Sequence, residues 1–201
     1  MFNLAEIKDV IKIEPSGFRN KKAQALTNEI NRKYANKVLQ DVGLCVAMYD
    51  ILHAGEGFIN HGDGCSYVTV YFRLIIFRPF VGEIMTGKIR SCNQDGVKVT
   101  LGFFDDILIP YAHLQPNSEF NSDEQVWVWM YDENEMFMDL EEDIRFRVES
   151  ESFHDTSPSV RPKKEGADTP DMSANSVKQP PYSLVCSING DGLGLLSWWG
   201  A

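Results

Sequence analysis

Two kinds of hydrophobic periodicity divide the chain near residue 80. In the first part, Phe2 to Ile13 carries apolar residues at Leu4, Ile7, Val10, Ile11 and Ile13, which predicts a strand with an irregularity. Pro15-Ser16-Gly17 breaks that strand, and Ser16 is placed to cap the next segment. From Phe18 to Val38 the apolar positions are Ala23, Leu26, Ile30, Tyr34 and Val38, whose spacings of three and four mark one face of a helix. The opposite face carries Arg19, Lys21, Lys22, Glu29, Arg32 and Lys33. Such a face reads as solvated surface, with phosphate binding as the sharper alternative.

Val42–Leu52 reads as a buried strand, and the β-branched, aromatic run Val68–Phe77 as another, closed by Pro79. Between them lies a glycine-rich stretch with Gly55, Gly57, Gly62 and Gly64, read as a flexible loop. Strand, helix, strand, loop, strand describes a small α+β unit, one helix packed on an antiparallel sheet.

From Gly82 the pattern is all β. Candidate strands are Ile84–Arg90, Gly96–Leu101, Ile107–Ile109, Gln125–Tyr131, Met136–Met138, Ile144–Val148 and Ser183–Ile188. Many short strands separated by turn residues predict a closed barrel. Residues 154–181 interrupt it with Pro158, Pro162, Pro170, Pro180 and Pro181 and almost nothing to bury, so a disordered insertion is expected before the last strand.

The bulk numbers narrow the function classes. The net charge is -10, unevenly spread: residues 1–80 hold ten Lys/Arg against eight Asp/Glu, and residues 81–201 hold nine against twenty-one. An acidic chain is a poor general nucleic-acid binder, because phosphate contacts supply most non-specific affinity. No apolar run approaches the ~18 residues that span a bilayer. Charges in MFNLAEIKDV stand where a signal peptide needs its apolar segment, so an intracellular protein is expected. Cys45, Cys65, Cys92 and Cys186 form no C-x-x-C pair; Cys45, Cys92 and Cys186 sit in apolar strand-like settings that read as buried free thiols, consistent with a reducing compartment.

Catalytic chemistry finds little support. Asp105-Asp106, with His113 nearby, is the candidate metal or acid-base site, but neighbouring Asp residues on a turn can point apart and no further ligand spacing accompanies them. Surface charge at a turn is the preferred reading. The glycine loop lacks the Lys of a phosphate-binding loop and leads into a strand. No G-x-S-x-G elbow is present. Trp127 and Trp129 alternate with valines and share one strand face, and Trp198-Trp199 adds a second cluster. Core packing is the first reading of these tryptophans, and a permanent subunit interface the second.

The chain as a whole resembles the larger stalk subunit of archaeal and nuclear RNA polymerases, the homologue of the seventh subunit of RNA polymerase II. MFNLAEIKDVIKIEP is similar to that family's first strand, and GEGFINHGDGCSYVTVYFRLIIFRPFVGEIMTGKI to its hallmark run across the domain junction. Among paralogues, GFFDDILIP, EQVWVWMY, EEDIRFRVESESFHDTSPS and YSLVCSINGDGLGLLSWW resemble the RNA polymerase III version.

The resemblance implies an α+β ribonucleoprotein-like tip domain over residues 1–80 and an all-β OB-fold barrel of S1 type over 81–201. It implies a nuclear, non-catalytic subunit with no metal or cofactor. Its partners would be a small helical stalk subunit, in a heterodimer, the polymerase III core near the RNA exit path, initiation factors for tRNA and 5S rRNA synthesis, and nascent RNA. Core docking carries over to Pro15, Gly17 and Phe18 and to Gly55, Gly57, Gly62, Asp63 and Gly64. RNA-facing candidates are Lys88, Arg90, Lys98 and Phe103, although Val97 and Val99 stand where RNA-binding S1 barrels place stacking aromatics. Trp127, Trp129, Trp198 and Trp199 are the candidate partner interface. A free-standing S1-type RNA-binding protein is the competing reading, and a metal hydrolase built on Asp105, Asp106 and His113 the remote one.

Overall fold

Central to the first unit is a strand that buries every second side chain completely. Val68, Val70, Phe72, Leu74 and Ile76 of β4 (Ser66–Phe77) are at most 1% exposed. β1 (Phe2–Ile13) and β3 (Gly43–Ile59) flank it, both antiparallel, and the short β2 (Lys37–Leu39) extends the sheet to the order β1-β4-β3-β2. Helix α1 (Lys22–Tyr34) covers one face, placing Ala25, Leu26 and Ile30 against Ile11, Ile13, Cys45 and the inward side of β4. The computed structural model describes residues 1–131, 134–155 and 179–199, grouped in two compact units, Met1–Phe80 and Val81–Ala201.

Several sequence expectations for this unit change. The irregularity in β1 is not a bulge, since its pairing with β4 runs unbroken from Phe2↔Phe77 to Ile13↔Ser66. Ala5, Ile7, Ile11 and Ile13 face the core, whereas Leu4 and Val10 are nearly half exposed on the sheet's other side. Ser16 caps nothing: it sits in a 3-10 turn, Pro15–Arg19, and α1 starts at Lys22 with no side-chain cap. The helix stops four residues before Val38 because Asn36 turns left-handed (φ 58°), a conformation asparagine tolerates, and sends Val38 into β2 opposite Leu44.

The glycine stretch is mostly strand. β3 continues through Gly55 and Gly57 to Ile59, with Gly57 opposite Val68. A side chain at Gly57 would meet Ser66 Oγ at 2.7 Å, so glycine lets the two strands run this close. Only residues 60–65 remain as a turn, tied by Asn60 N–H to Cys65 O (3.0 Å) and Gly64 N–H to Asn60 O (2.8 Å).

The basic side of α1 is largely paired locally. Arg32 meets Glu29 (3.1 Å), Lys33 meets Asp9, and Lys22 Nζ donates to Gly55 O (2.8 Å). This is the solvated-surface pattern rather than an anion site.

The second unit is a five-stranded barrel closed on itself. Its walls are β5 (Ile84–Asn93), β6 (Gly96–Thr100), β7 (Ile107–Pro110), β11 (Asp143–Phe153) and β12 (Tyr182–Ser187). The circuit runs β5-β6-β7-β12-β11 and back to β5. Among the described residues, only β7 and β12 pair in parallel, through Leu184↔Ile107 and Val185↔Leu108. That order is the OB fold. Val97, Val99, Ile107, Ile109, Phe146, Val148, Tyr182 and Leu184 fill the interior at no more than 1% exposure.

A three-stranded meander, β8 (Ser118–Asn121), β9 (Val126–Tyr131) and β10 (Asn134–Met138), is inserted between β7 and β11. The short β13 (Gly194–Leu195) pairs with β11 and leads into a 3-10 turn, Leu196–Trp199. The sequence pattern predicts neither β8 nor β13. Of the expected insertion at 154–181, residues 156–178 lie outside the described residues, including Ser157-Pro158 and Thr169-Pro170.

Candidate functional site

One end of the first unit gathers most of the residues expected to dock. The 3-10 turn bearing Pro15, Gly17 and Phe18 lies beside the 60–65 turn, with Pro15 Cγ 4.0 Å from the position of a Gly64 Cβ. A cleft of about 340 Å³ opens here, lined among others by Ile13, Gly17, Phe18, Gly57 and Ile59. Phe18 is 46% exposed, Phe58 64% and Ile59 58%. Phe58 and Ile59 escaped the sequence reading; the signal was an apolar pair inside a glycine-rich stretch, directly after Gly57. Gly55 stands apart, inside β3, with its carbonyl occupied by Lys22.

Asp63 fixes the shape of this end. Its Oδ1 accepts the Cys65 N–H (3.1 Å), and its Oδ2 accepts the Tyr67 hydroxyl (2.8 Å) and an ion pair from Lys12 (3.2 Å). These donors, led by the Tyr67 hydroxyl, hold its carboxyl down at about 2. The turn is therefore pre-shaped, not slack.

The opposite face of the sheet from α1 was also missed. Leu4, Val10, Tyr49 and Tyr71 are all at least 39% exposed there, with Arg73 over the Tyr49 ring and bridged to Asp50 (Nε–Oδ1 2.8 Å). The off-pattern apolar residues of β1 were the available clue.

On the barrel, Lys88 and Arg90 of β5 and Lys98 of β6 point outward. Phe103, in the β6–β7 connection, is 46% exposed, while Phe104 is buried against Tyr182 (centroids 5.6 Å). The phenylalanine pair thus splits into one surface ring and one core ring. Asp105 reaches back over this surface: its Oδ2 accepts from Arg90 Nη1 (2.5 Å) and its Oδ1 from the Thr100 hydroxyl. Thr100 Oγ1 in turn accepts the Gly102 N–H (2.9 Å).

A groove of about 650 Å³ adjoins this pair, with Lys98, Asp106, His154 and Ser183 among its lining. Burial, helped by the neighbouring Asp105 charge, raises the Asp106 carboxyl above its ordinary range. Among the described residues, no three His, Cys, Asp or Glu side chains are gathered as metal ligands, and Asp105, Asp106 and His113 form no such set.

The tryptophans divide by environment. Trp127 is 7% exposed, donates from Nε1 to Asn93 O (2.9 Å) and packs on Phe120. Trp129 lies between Tyr131 and Trp198, each centroid 4.9 Å away. Trp199 is 45% exposed, with Nε1 donating to Leu193 O (2.9 Å), and Tyr131 is 56% exposed. Trp127 therefore serves the interior, and the exposed aromatic surface lies at Trp199 and Tyr131.

Both units match known family profiles. Residues 8–64 match the SHS2 domain found in the N terminus of Rpb7p/Rpc25p/MJ0397, and residues 83–199 match RNA polymerase III subunit Rpc25. The chain belongs to the Rpc25 family. It is 48% identical to DNA-directed RNA polymerase III subunit rpc8 of Schizosaccharomyces pombe, over 99% of this chain and 100% of that protein. DNA-directed RNA polymerase III subunit RPC8 of Bos taurus is 45% identical over 99% of this chain and 98% of its own length. The archaeal DNA-directed RNA polymerase subunit Rpo7 of Saccharolobus shibatae is 31% identical over 54% of this chain and 60% of its own. The Rpc25 match takes in the barrel, the β8–β10 meander and the tryptophan turn, and the SHS2 match takes in the Pro15–Arg19 turn and residues 60–64 of the second turn.

Proposed function

We propose that this chain is a non-catalytic stalk subunit of nuclear DNA-directed RNA polymerase III. It forms a heterodimer with a small helical subunit, docks on the polymerase core near the RNA exit path through its tip, supports initiation and contacts nascent RNA. Full-length similarity at 48% identity to a subunit of that polymerase carries the reading.

The surfaces suit such a role. The tip offers exposed Phe18, Phe58 and Ile59 on a frame held by Asp63, which is what protein docking requires and what phosphate binding or catalysis does not. The open sheet face with Leu4, Val10, Tyr49 and Tyr71, and the aromatic surface at Trp199 and Tyr131, are the candidates for a permanent partner. Lys88, Arg90, Lys98 and Phe103 are the candidate RNA face, small enough that its contribution is local.

Co-expression with the small stalk subunit, followed by size-exclusion chromatography, tests the assignment. Solubility and elution as a 1:1 complex support it. A stable monomer that ignores that partner would replace it with a free RNA-binding module.

A further inference from the structure

The acidic pair of the β6–β7 connection gathers no metal-ligand set among the described residues, yet one of its members is built into the face that carries the RNA candidates. Asp105 uses both carboxylate oxygens inward. One takes the Thr100 hydroxyl, itself anchored by the Gly102 N–H, and the other takes the Arg90 guanidinium at 2.5 Å. Arg90 and Asp105 remain 57% and 46% exposed, so the pair sits at the surface where a ligand arrives. Lys88 and Lys98 lie exposed on the same outer side of β5 and β6. Of the three outward cations on these strands, the guanidinium is the one suited to a planar two-oxygen grip on phosphate, and it is already occupied.

We propose that Asp105 is an internal competitor for phosphate: its carboxylate occupies Arg90 and sets a low affinity of the barrel face for single-stranded RNA. The inference rests on the RNA-contacting part of the stalk reading. An incoming backbone phosphate must displace Asp105 from Arg90 and then lie beside its uncompensated negative charge. The Thr100 anchor keeps the carboxylate in place rather than letting it swing to solvent. A stalk surface of this kind takes RNA in passing and does not retain it, and Asp105 is the residue that separates those two behaviours.

The test measures binding of a fluorescein-labelled single-stranded oligoribonucleotide to the full chain by anisotropy across a salt series. Asp105→Asn is expected to tighten binding about two- to fivefold, as for release of an exposed ion pair. The slope of log affinity against log salt should steepen by about 0.7, one further phosphate contact to a single strand. Arg90→Gln added to Asp105→Asn should cancel the gain. Thr100→Val frees the connection while leaving the charge, and should give less gain than Asp105→Asn. An equal gain from Thr100→Val would overturn charge competition in favour of simple loosening. If Arg90→Gln alone weakens binding and Asp105→Asn fails to tighten it, the competitor role falls and the RNA face stands. If no substitution at Arg90 or Asp105 alters binding, the RNA face falls with it.

Discussion

Trp198 rests its six-membered ring on Gly194, where an added Cβ would come within 2.5 Å of Trp198 Cζ3. Gly194 also has φ of +104°, a conformation that L side chains rarely adopt. The Trp198 side chain also packs at a tilt against Trp129, ring centroids 4.9 Å apart, so this contact ties the residues after the barrel to the β8–β10 meander. Gly194→Ala is expected to cost about 2–4 kcal/mol, from backbone strain and overpacking together. Urea unfolding followed by tryptophan fluorescence would show an earlier midpoint. An unchanged midpoint would mean that the ring does not sit there.

Ile30 is fully buried between α1 and the sheet. Ile30→Ala should destabilise the first unit by about 2–5 kcal/mol through lost contact and a residual cavity. Val10→Ser, on the exposed side of β1, should stay within about 0.5 kcal/mol of the parent. Chemical denaturation of the two variants compares the buried and open faces directly; equal losses would contradict the side assignment along β1.

Asp63 links the 60–65 turn to acidity. Its folded carboxyl lies at about 2, below the ordinary 3.8, because the Tyr67 hydroxyl, the Cys65 N–H and Lys12 favour the ionised form. A depressed carboxyl contributes stability that is fully present above its unfolded value and is lost as pH falls through the folded one. The stability difference between the parent and Asp63→Asn should therefore be constant above about pH 4 and shrink toward pH 2. A difference that stays flat over that window would show that the three donors do not act on Asp63.

All four cysteines are buried as free thiols. Burial pushes Cys45 up to about 11 and Cys186 to about 12, so almost no thiolate is available near neutrality. A chromogenic disulfide reagent at pH 8 should find no fast-reacting thiol in the native chain and four after denaturation. Cys65 belongs to the turn that Asp63 holds, so Asp63→Asn should make it the first to react. Rapid labelling of Cys186 instead would indicate that the barrel opens readily.

Period-two and period-three-to-four patterns made the main architecture readable, because β4 and α1 bury residues at regular intervals. Val68 through Ile76, and Leu26 with Ile30, carry that signal cleanly. The errors arose where a residue's role depends on a distant neighbour. Gly57 looks like loop in isolation and is strand because Val68 stands opposite. Leu4 and Val10 look like core and lie on an open face. β8 and β13 are short strands defined by their partners, β9 and β11, more than by their own residues.

The site was legible to different depths. Lys88, Arg90 and Lys98 share an outer surface as the alternation implies, and the exposed position of Phe103 against the buried Phe104 needed the fold. The Arg90–Asp105 bond spans fifteen residues and the bend of a strand connection, so no local spacing announces it. Trp127 and Trp129 do share strand parity, yet only the folded chain reveals that Trp127 is enclosed while Trp199 and Tyr131 are bare.

The parallel seam between β7 and β12 bears on how the molecule comes into being. β7 is complete at Pro110, but its neighbour arrives only with Tyr182–Ser187. While the chain emerges from the ribosome, Ile107, Ile109, Phe146 and Val148 are already made and have no sealing wall between them. Every strand of the first unit, by contrast, is present by Phe77. Assembly of the molecule is therefore expected to be staggered, with the helix-and-sheet unit set early and the barrel left as an open, sticky trough until its last stave slots in.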